Sequence, residues 1–313
     1  MQSKDTLGDR MKEYEGQEAH RTFAEGLPIC IRLDGRKFST WTKNLHRPFD
    51  ARLSGLMIGL TLALVKETSA KVGYTQSDEI SLVLYDTDTS SEGYFGGRIQ
   101  KIVSMTSAFA SAWFAREVPL VLPEKATKMA LFDSRAWTVP SLQEATNTLI
   151  WRELDASKNS ISMAAQRHFS TSQLHKKTST DKLALLTSKG VDWNEYPQHF
   201  RRGTYVLRRT ETGPFLPEEL NELPPKHQAH SNPDLQVTRS RVTEEYLPPL
   251  VSIWNREGVL FNGEPVVLKE DEVLQRIATT KCKPVESLTH LDLNGFELTP
   301  ALRHVGLLRM ETP

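Results

Sequence analysis

The chain has 313 residues, which at about 150 residues per domain predicts two domains, or one domain with a large appendage. Hydrophobic residues make up 38% of it, which is enough to bury a core and too many for a disordered chain. Its 39 Lys and Arg residues cancel its 39 Asp and Glu residues, so no overall field draws it towards nucleic acid or a membrane.

Cysteine content and apolar runs indicate the compartment. The two cysteines, Cys30 and Cys282, are too few for a disulfide framework or a thiolate zinc site, which is typical of a reducing cytosol. The first five residues contain no apolar stretch of the kind that a signal peptide needs, and the longest apolar run, 53–65, is too short to span a bilayer. We therefore expect a soluble, cytoplasmic protein with no membrane segment.

The balanced charge is unevenly distributed along the chain. Residues 152–209 carry 11 Lys or Arg against 5 Asp or Glu, whereas residues 210–313 carry 10 against 16. From charge alone, the basic segment is ordinarily interpreted as a solvated helical surface. A surface that binds nucleic acid is the alternative interpretation.

The first 135 residues alternate between strand-like apolar runs and helix-like apolar repeats. The predicted elements, in chain order, are a strand at 29–33, a helix N-capped by Asp50 with apolar positions from 53 to 64, strands at 72–75 and 80–84, a helix at 99–113 and a strand at 129–132. This order is the split β-α-β arrangement of ferredoxin-like folds. We therefore expect an α+β fold with helices on one face of an antiparallel sheet.

The second half of the chain has weaker signals. A helix is predicted from 151 to 169, a strand at 205–207, a proline-rich extended connector at 213–249 and a small folded hairpin at 254–265. Residues 268–313 match no pattern that we can interpret. The expected regions are a catalytic domain at 1–148, a basic and mostly helical region at 149–212, and a connector with an acidic extension at 213–313.

Two aspartates are expected to meet at one edge of this sheet. A right-handed crossover makes the first two strands parallel, so the third strand lies between them, and Asp34 comes close to the hairpin turn that carries Asp78. Two converging carboxylates repel unless a cation lies between them, and Mg²⁺ takes such hard oxygen ligands. The Gly35 carbonyl is a candidate third ligand. The alternative is that both aspartates are ordinary turn residues.

Several cations and hydroxyls could bind the phosphates of a nucleotide beside such a magnesium site. Lys37 follows the Asp-Gly turn and Arg47 precedes the first helix, while Arg98, Lys101 and Ser104 lie in the first turns of the second helix. Helix N-termini with free N–H groups and nearby cations bind anions. The alternative interpretation is a solvated helix start after a simple glycine loop.

Polar residues gather on one face of the helix predicted after 151. Arg152, Asp155 and Asn159 lie at positions i, i+3 and i+7. An Arg-Asp pair at this spacing is usually a modest surface ion pair. A mid-helix asparagine is mildly unfavourable, which suggests that Asn159 makes a specific hydrogen bond. His168, His175 and His199 lack the spacing of metal ligands and are interpreted as surface or packing residues.

Six segments in a fixed order resemble the tRNA-His guanylyltransferase superfamily, specifically its guanylyltransferase-like branch. They are Leu7–Glu15, Arg32–Phe38, Gly73–Glu79, Phe132–Arg135, Trp151-Arg152 with Asp155-Ala156 and Asn159-Ser160, and Arg201–Thr204. The resemblance implies a polymerase-like palm that adds nucleotides to the 5′ end of tRNA in the 3′-to-5′ direction. It also implies two Mg²⁺ ions, ATP and GTP as substrates, and a homotetramer.

The resemblance also assigns roles residue by residue. It places the metal-binding carboxylates at Asp34 and Asp78, with the Gly35 carbonyl as a further ligand. The positions that match triphosphate contacts are Ser77, Lys101, Arg47 and Arg98, and Asp50 falls in the pocket of the incoming nucleotide. The positions linked to the activated 5′ end or to tRNA are Asp155, Asn159 and Arg202, within the matching segments that also contain Arg152 and Arg201.

One departure from the family pattern bears on the substrate. Eukaryotic members have a His-Ile-Asn tripeptide where this chain has Ser157-Lys158-Asn159. The missing histidine argues against untemplated G−1 addition to tRNA-His and favours templated repair of 5′-truncated tRNA. In that case base pairing selects the nucleotide, and the basic segment 152–209 is expected to bind the RNA backbone.

Two other functions remain open. A cyclic-nucleotide synthase could be built on a similar palm, but it has no evident use for the segment 152–159. A catalytically silent tRNA-binding module would not need two metal-binding carboxylates.

Overall fold

The computed structural model describes residues 6–85 and 93–269. Its strands are β1 Ile29–Gly35, β2 Val72–Gln76, β3 Glu79–Leu84, β4 Phe132–Thr138, β5 Thr204–Pro214 and β6 Gln236–Glu245. Its helices are α1 Thr6–Ala19, α2 Phe38–Trp41, α3 Ala51–Thr68, α4 Ile99–Val121, α5 Leu142–His168, α6 Thr171–Leu174, α7 Ser179–Ser188, α8 Gln198–Arg202 and α9 Pro217–Glu222. Within these described ranges, no helix is long and apolar enough to cross a membrane.

The strands form one antiparallel sheet in the order β4-β1-β3-β2-β5-β6. The first four strands have the ferredoxin-like order, with β3 between β1 and β2 as the crossover argument requires, so the α+β fold class is confirmed. The strand predicted at 129–132 instead begins at Phe132, because β4 pairs along the whole of β1, from Gly35 to Ile29. Met129 and Leu131 are apolar but exposed, and they lie in the loop before the strand.

Helices cover both faces of the sheet, whereas the sequence predicted one. On one face, α3 and α4 pack their apolar side chains against Ile31, Leu33 and Leu82. On the other face, α5 covers Cys30, Val72 and Val83 together with the segment 247–260. The apolar stripe of α5 begins well before residue 151, and its buried members Ala145 and Leu149 supply this second core layer.

The second half of the chain extends the same sheet. Strand β5 pairs with β2, and β6 pairs with β5 over ten residues, from Tyr205 opposite Glu245 to Pro214 opposite Gln236. The stretch 213–249 therefore contributes a strand where an extended connector was expected. The hairpin predicted at 254–265 is wrong: the chain forms a helical turn at Gly258–Asn262, closed by one bridge between Ile253 and Leu268.

The proposed regional boundary at 148 falls within helix α5 and the one at 212 within strand β5, and the three-region division remains a prediction. Beyond 269, the acidic extension and Cys282 lie outside the described residues.

Candidate active site

The candidate site is built on two turns that meet at one edge of the sheet. Asp34 ends the apolar part of β1, opposite Glu79, and Asp78 lies in the tight β2–β3 turn. The Gly35 N–H donates a hydrogen bond to the Asp78 carbonyl at 3.1 Å, which fixes the two turns to each other. A Cβ on Gly35 would lie 2.3 Å from the Phe38 ring, so only glycine fits this close approach.

The two carboxylates interact electrostatically. Burial raises the pKa of Asp78 to about 6, and the negative charge of Asp34 adds to the rise. Arg135 Nη2 lies 4.0 Å from Asp34 Oδ2, but it is closer to Asp133, at 3.2 Å. The pair therefore has the oxygen ligands and the uncompensated charge that suit Mg²⁺. Across the described residues no cluster of three His, Cys, Asp or Glu occurs, so other ligands would come from substrate phosphate, water or backbone.

A cleft of about 480 Å³ opens beside the carboxylates. The predicted site residues that line it are Asp34, Gly35, Lys37, Arg47, Asp50, Ser77, Asp78 and Asn159. Another wall of the cleft is formed by Phe49, Met163, His199 and Phe200, of which only His199 was considered from the sequence, as a surface or packing residue. Phe49 stacks on Phe200 with 4.8 Å between ring centroids, and His199 meets Phe49 edge-on at 5.4 Å. No spacing in the sequence indicates this aromatic wall, because its members come from separate loops and helices.

Residues 42–50, between α2 and α3, contribute to the lining of the cleft and form the cleft loop, which Asp50 holds in place. Asp50 is 4% exposed, and it N-caps α3 as the sequence predicts. Its carboxylate accepts hydrogen bonds from the Arg52 side chain and from the backbone N–H groups of Arg52 and His46. These bonds, the side-chain bond from Arg52 foremost, lower the pKa of Asp50 to about 2. The carboxylate already has four donors without any nucleotide.

A buried lysine supports the same loop from behind. Lys125 is 3% exposed, and its Nζ donates to the carbonyls of Trp41 and Lys43 at 2.8 and 2.6 Å. The neighbouring Glu124 carboxylate accepts from Arg52 at 2.8 Å. The segment that carries Lys125 and Glu124 thus fixes the start of the cleft loop and, through Arg52, its end.

The polar face of α5 is anchored to the hairpin beneath it. Arg152 was expected in a surface ion pair, but it is 6% exposed and pairs with Glu79, which lies opposite Asp34 on the sheet. Its Nη2 also donates to Asp155, and Asn159 Nδ2 donates to the same carboxylate at 3.2 Å. This series of contacts runs from the carboxylate hairpin to the mouth of the cleft.

Three predicted phosphate-binding residues do not line the cleft. Arg98, Lys101 and Ser104 lie at the start of α4. This helix approaches the carboxylate edge further along, where Ser107 Oγ donates to the Phe132 carbonyl and Ser111 Oγ accepts from the Phe132 N–H, opposite Gly35. Lys101 and Ser104 are exposed, and the Arg98 backbone bridges Thr22 before β1. The first residue of α4 lies about 12 Å from Ser107 along the helix axis, away from the carboxylate edge. Their predicted triphosphate contact stays a prediction.

Several arginines of the basic segment have internal partners. Arg202 pairs with Glu153 at 3.0 Å, Arg201 Nε donates to the Tyr196 carbonyl, and neither lines the cleft. Arg208 binds the Ala70 and Val65 carbonyls, and Arg209 pairs with Glu245. Together with Arg152, these five arginines hold the fold. The six remaining cations of the segment are Lys158, Arg167, Lys176, Lys177, Lys182 and Lys189.

Comparisons with known proteins agree with the fold described above. A family model described as tRNAHis guanylyltransferase matches residues 8–140. The tRNA(His) guanylyltransferase of Neurospora crassa is 26% identical over 267 residues, which cover 76% of this chain and 90% of that protein. A solved bacterial tRNA(His) guanylyltransferase-like protein in complex with ATP is 36% identical, with a TM-score of 0.62 over 64% of this chain and 88% of its own.

A second solved bacterial protein of this kind, in complex with GTP, is 30% identical, with a TM-score of 0.61 over 79% of this chain and 94% of its own. Together the matches assign the chain to the palm-fold nucleotidyltransferases. Within that class, it belongs to the tRNA-His guanylyltransferase family.

Proposed function

We propose that this protein adds nucleotides to the 5′ end of tRNA in the 3′-to-5′ direction, using nucleoside triphosphates and two Mg²⁺ ions. The observation that carries the proposal is the pair of carboxylates, Asp34 and Asp78, joined through the Gly35 hydrogen bond at the edge of a nucleotide-sized cleft. Family members and solved relatives with ATP and GTP support the substrate class.

The proposed reaction joins the incoming nucleotide to an activated RNA end. The 3′-hydroxyl oxygen of the nucleotide forms a bond to the 5′ α-phosphorus of the RNA, and the bond from that phosphorus to its leaving group breaks. Pyrophosphate leaves from a 5′-triphosphate, and AMP leaves when ATP has first adenylylated a 5′-monophosphate with loss of pyrophosphate. The hydroxyl proton passes to solvent water. Mg²⁺ bound at the two carboxylates would supply activation of the hydroxyl and stabilisation of the leaving oxygen.

The residues of the cleft have separate roles in this proposal. Lys37, Arg47 and Ser77 bind the triphosphate, because they line the cleft that opens beside the carboxylates and carry cationic or hydroxyl groups. Asn159 and Asp155, at the end of the α5 face, position the activated 5′ end. Asp50 acts by fixing the cleft loop, since its carboxylate is already bonded to Arg52 and His46.

Template-dependent repair of 5′-truncated tRNA is the form of the reaction that we propose, rather than G−1 addition to tRNA-His. Ser157-Lys158 replaces the His-Ile of the eukaryotic pattern. The saturated Asp50 carboxylate supports the same view, because it offers no free acceptor with which to read a base. Base pairing with the opposite tRNA strand then selects the nucleotide. We further propose a cytoplasmic homotetramer.

Extension of a 5′-truncated tRNA, with Mg²⁺ and all four nucleoside triphosphates, tests the proposal. We expect Asp78→Asn and Asp34→Asn to abolish extension while tRNA affinity stays within about twofold. The matched control is Asp133→Asn, which removes an equally exposed carboxylate directly opposite Asp34 on β4 and should retain activity. Unchanged extension by Asp78→Asn would contradict the proposal. A cyclic product formed without RNA would indicate the synthase instead, and tight RNA binding without turnover the silent module.

A further inference from the structure

An exposed tryptophan lies on α5 close to the candidate active site and has no role in the site as described. Trp151 is 54% exposed, and Leu154, one turn further along the helix, is 46% exposed. Neither residue lines the cleft. Tryptophan is enriched among the residues that contribute most to binding at interfaces, so an exposed tryptophan beside a functional site is a candidate binding residue.

The Trp151 ring is held in place by two guanidinium groups. The Arg152 Cζ lies 4.6 Å from the ring centroid, and the Arg32 Cζ lies 5.6 Å from it. Arg152 is fixed by its buried bonds to Glu79, and the Arg32 Nε is buried without a hydrogen-bond partner in the described part of the chain. The ring is therefore positioned relative to the carboxylate hairpin by cation–π contacts with these two arginines.

The position of Trp151 relative to the cleft is defined by two elements. Arg32 precedes Asp34 by two residues on the same face of β1, a separation of about 7 Å. Along α5, Trp151, Asp155 and Asn159 follow one another at four-residue spacing, and only Asn159 reaches the cleft, about 12 Å from Trp151. The contacts of Arg152 with Glu79 and Asp155 lie between the ring and the cleft.

We infer that Trp151 is the platform on which the terminal base of the RNA stacks while a nucleotide is added to it. This inference rests on the function proposed above. When a nucleoside triphosphate occupies the cleft, the RNA end has to reach the carboxylates from outside the cleft. The Trp151 ring lies outside the cleft, beside Arg32 of β1. A positioned aromatic ring among guanidinium groups suits a base within a polyanion better than an apolar protein partner. Stacking does not depend on base identity, as templated addition requires.

Affinity measurements with the full-length protein test the inference. Trp151→Ala should weaken the binding of 5′-truncated tRNA, measured without nucleotide, about tenfold, because stacking on an aromatic side chain contributes that much per base. Trp151→Phe should restore affinity to within about twofold. The KM of the nucleoside triphosphate at saturating RNA should not change in either variant. The matched control is Trp254→Ala, which removes a tryptophan of the same exposure, 54%, outside the carboxylate edge.

A second measurement varies the RNA. A tRNA whose 5′-terminal nucleotide lacks its base should bind the unaltered protein about tenfold more weakly than one that lacks the second base. With Trp151→Ala, the two RNAs should bind equally.

Equal tRNA affinity of Trp151→Ala and the unaltered protein would overturn the inference. So would a changed number of subunits in the Trp151→Ala protein at unchanged RNA affinity, since the ring would then contact a second copy of the chain. Either result leaves extension intact and so differs from failure of the proposed function, in which the unaltered protein does not extend RNA.

Discussion

The Arg152 guanidinium and the Glu79 carboxylate form a bidentate pair, with Nε to Oε1 at 2.5 Å and Nη2 to Oε2 at 2.8 Å. Both side chains are buried, and the pair joins helix α5 to the strand that follows Asp78. Since Asp155 also binds Arg152, the helix face that leads to the cleft is positioned by this one guanidinium.

Loss of the Arg152–Glu79 pair should strongly destabilise the folded protein. Arg152→Met leaves the Glu79 carboxylate buried without its partner, so we expect the free energy of unfolding to fall by about 3–5 kcal/mol. Urea denaturation at pH 7 measures it. The double variant Arg152→Met, Glu79→Gln should recover part of the loss, because no charge is then stranded. A loss below about 1 kcal/mol in the single variant would show that the pair is not formed.

Lys125 should affect nucleotide binding without contacting the nucleotide. Lys125→Met removes two hydrogen bonds to the carbonyls at the start of the cleft loop, and we expect about 2 kcal/mol lower stability. The KM of the nucleoside triphosphate should rise severalfold while kcat changes little. Lys128→Met removes an exposed lysine three residues after Lys125 and serves as the control. Equal kinetic effects of the two substitutions would contradict a positioning role for Lys125.

His199 should make stability depend on pH. Burial lowers the pKa of its imidazole, although the nearby charge of Glu244 opposes this. The unfolded chain, with a histidine pKa of about 6.5, then takes up a proton that the folded chain does not. The contribution of His199 to stability is therefore present above about pH 6.5 and falls as the pH drops below it. We therefore expect the free energy of unfolding of His199→Gln, relative to that of the unaltered protein, to increase as the pH is lowered from 7.5 to 5.5. A constant difference over that range would contradict this assignment.

The RNA-binding surface should be confined to those cations of the basic segment that have no internal partner among the described residues. This excludes Lys182, whose Nζ donates to Ser162 Oγ at 2.9 Å. Combined Lys176→Ala and Lys177→Ala substitutions should weaken tRNA binding and reduce the slope of log affinity against log salt by about 1–2. Lys226→Ala, which removes an exposed lysine from outside the basic segment, is the control. An unchanged salt slope in the double variant would place the RNA elsewhere.

The juxtaposition of Asp34 and Asp78 could be predicted because it follows from topology. Element order and the handedness of the crossover place the ends of β1 and the β2–β3 turn at one edge, whatever the side chains do. The N-cap at Asp50 is a local signal and could also be predicted from the sequence. The hydrogen bonds that the Asp50 carboxylate accepts from Arg52 could not be predicted, because nothing in the sequence shows which donors reach a capping carboxylate.

Other features depend on contacts that sequence patterns do not specify. The first turns of α4 combine glycines and cations in the manner of a phosphate site, but a local pattern does not show at which end of the sheet the helix starts. Arg152 looks like half of a surface pair, since its partner Glu79 lies 73 positions away in the sequence. The strand β6 contains no proline itself, but it was hidden by the proline-rich sequence around it and by its partly exposed alternation.

The most direct test is a crystal structure with Mn²⁺ and a nucleoside triphosphate, with the ions located by anomalous scattering. We predict anomalous peaks in contact with both Asp34 and Asp78, with the triphosphate directed towards Lys37 and Ser77. Side chains of Asp34 and Asp78 that point apart, with no peak between them in the presence of bound nucleotide, would contradict the central claim.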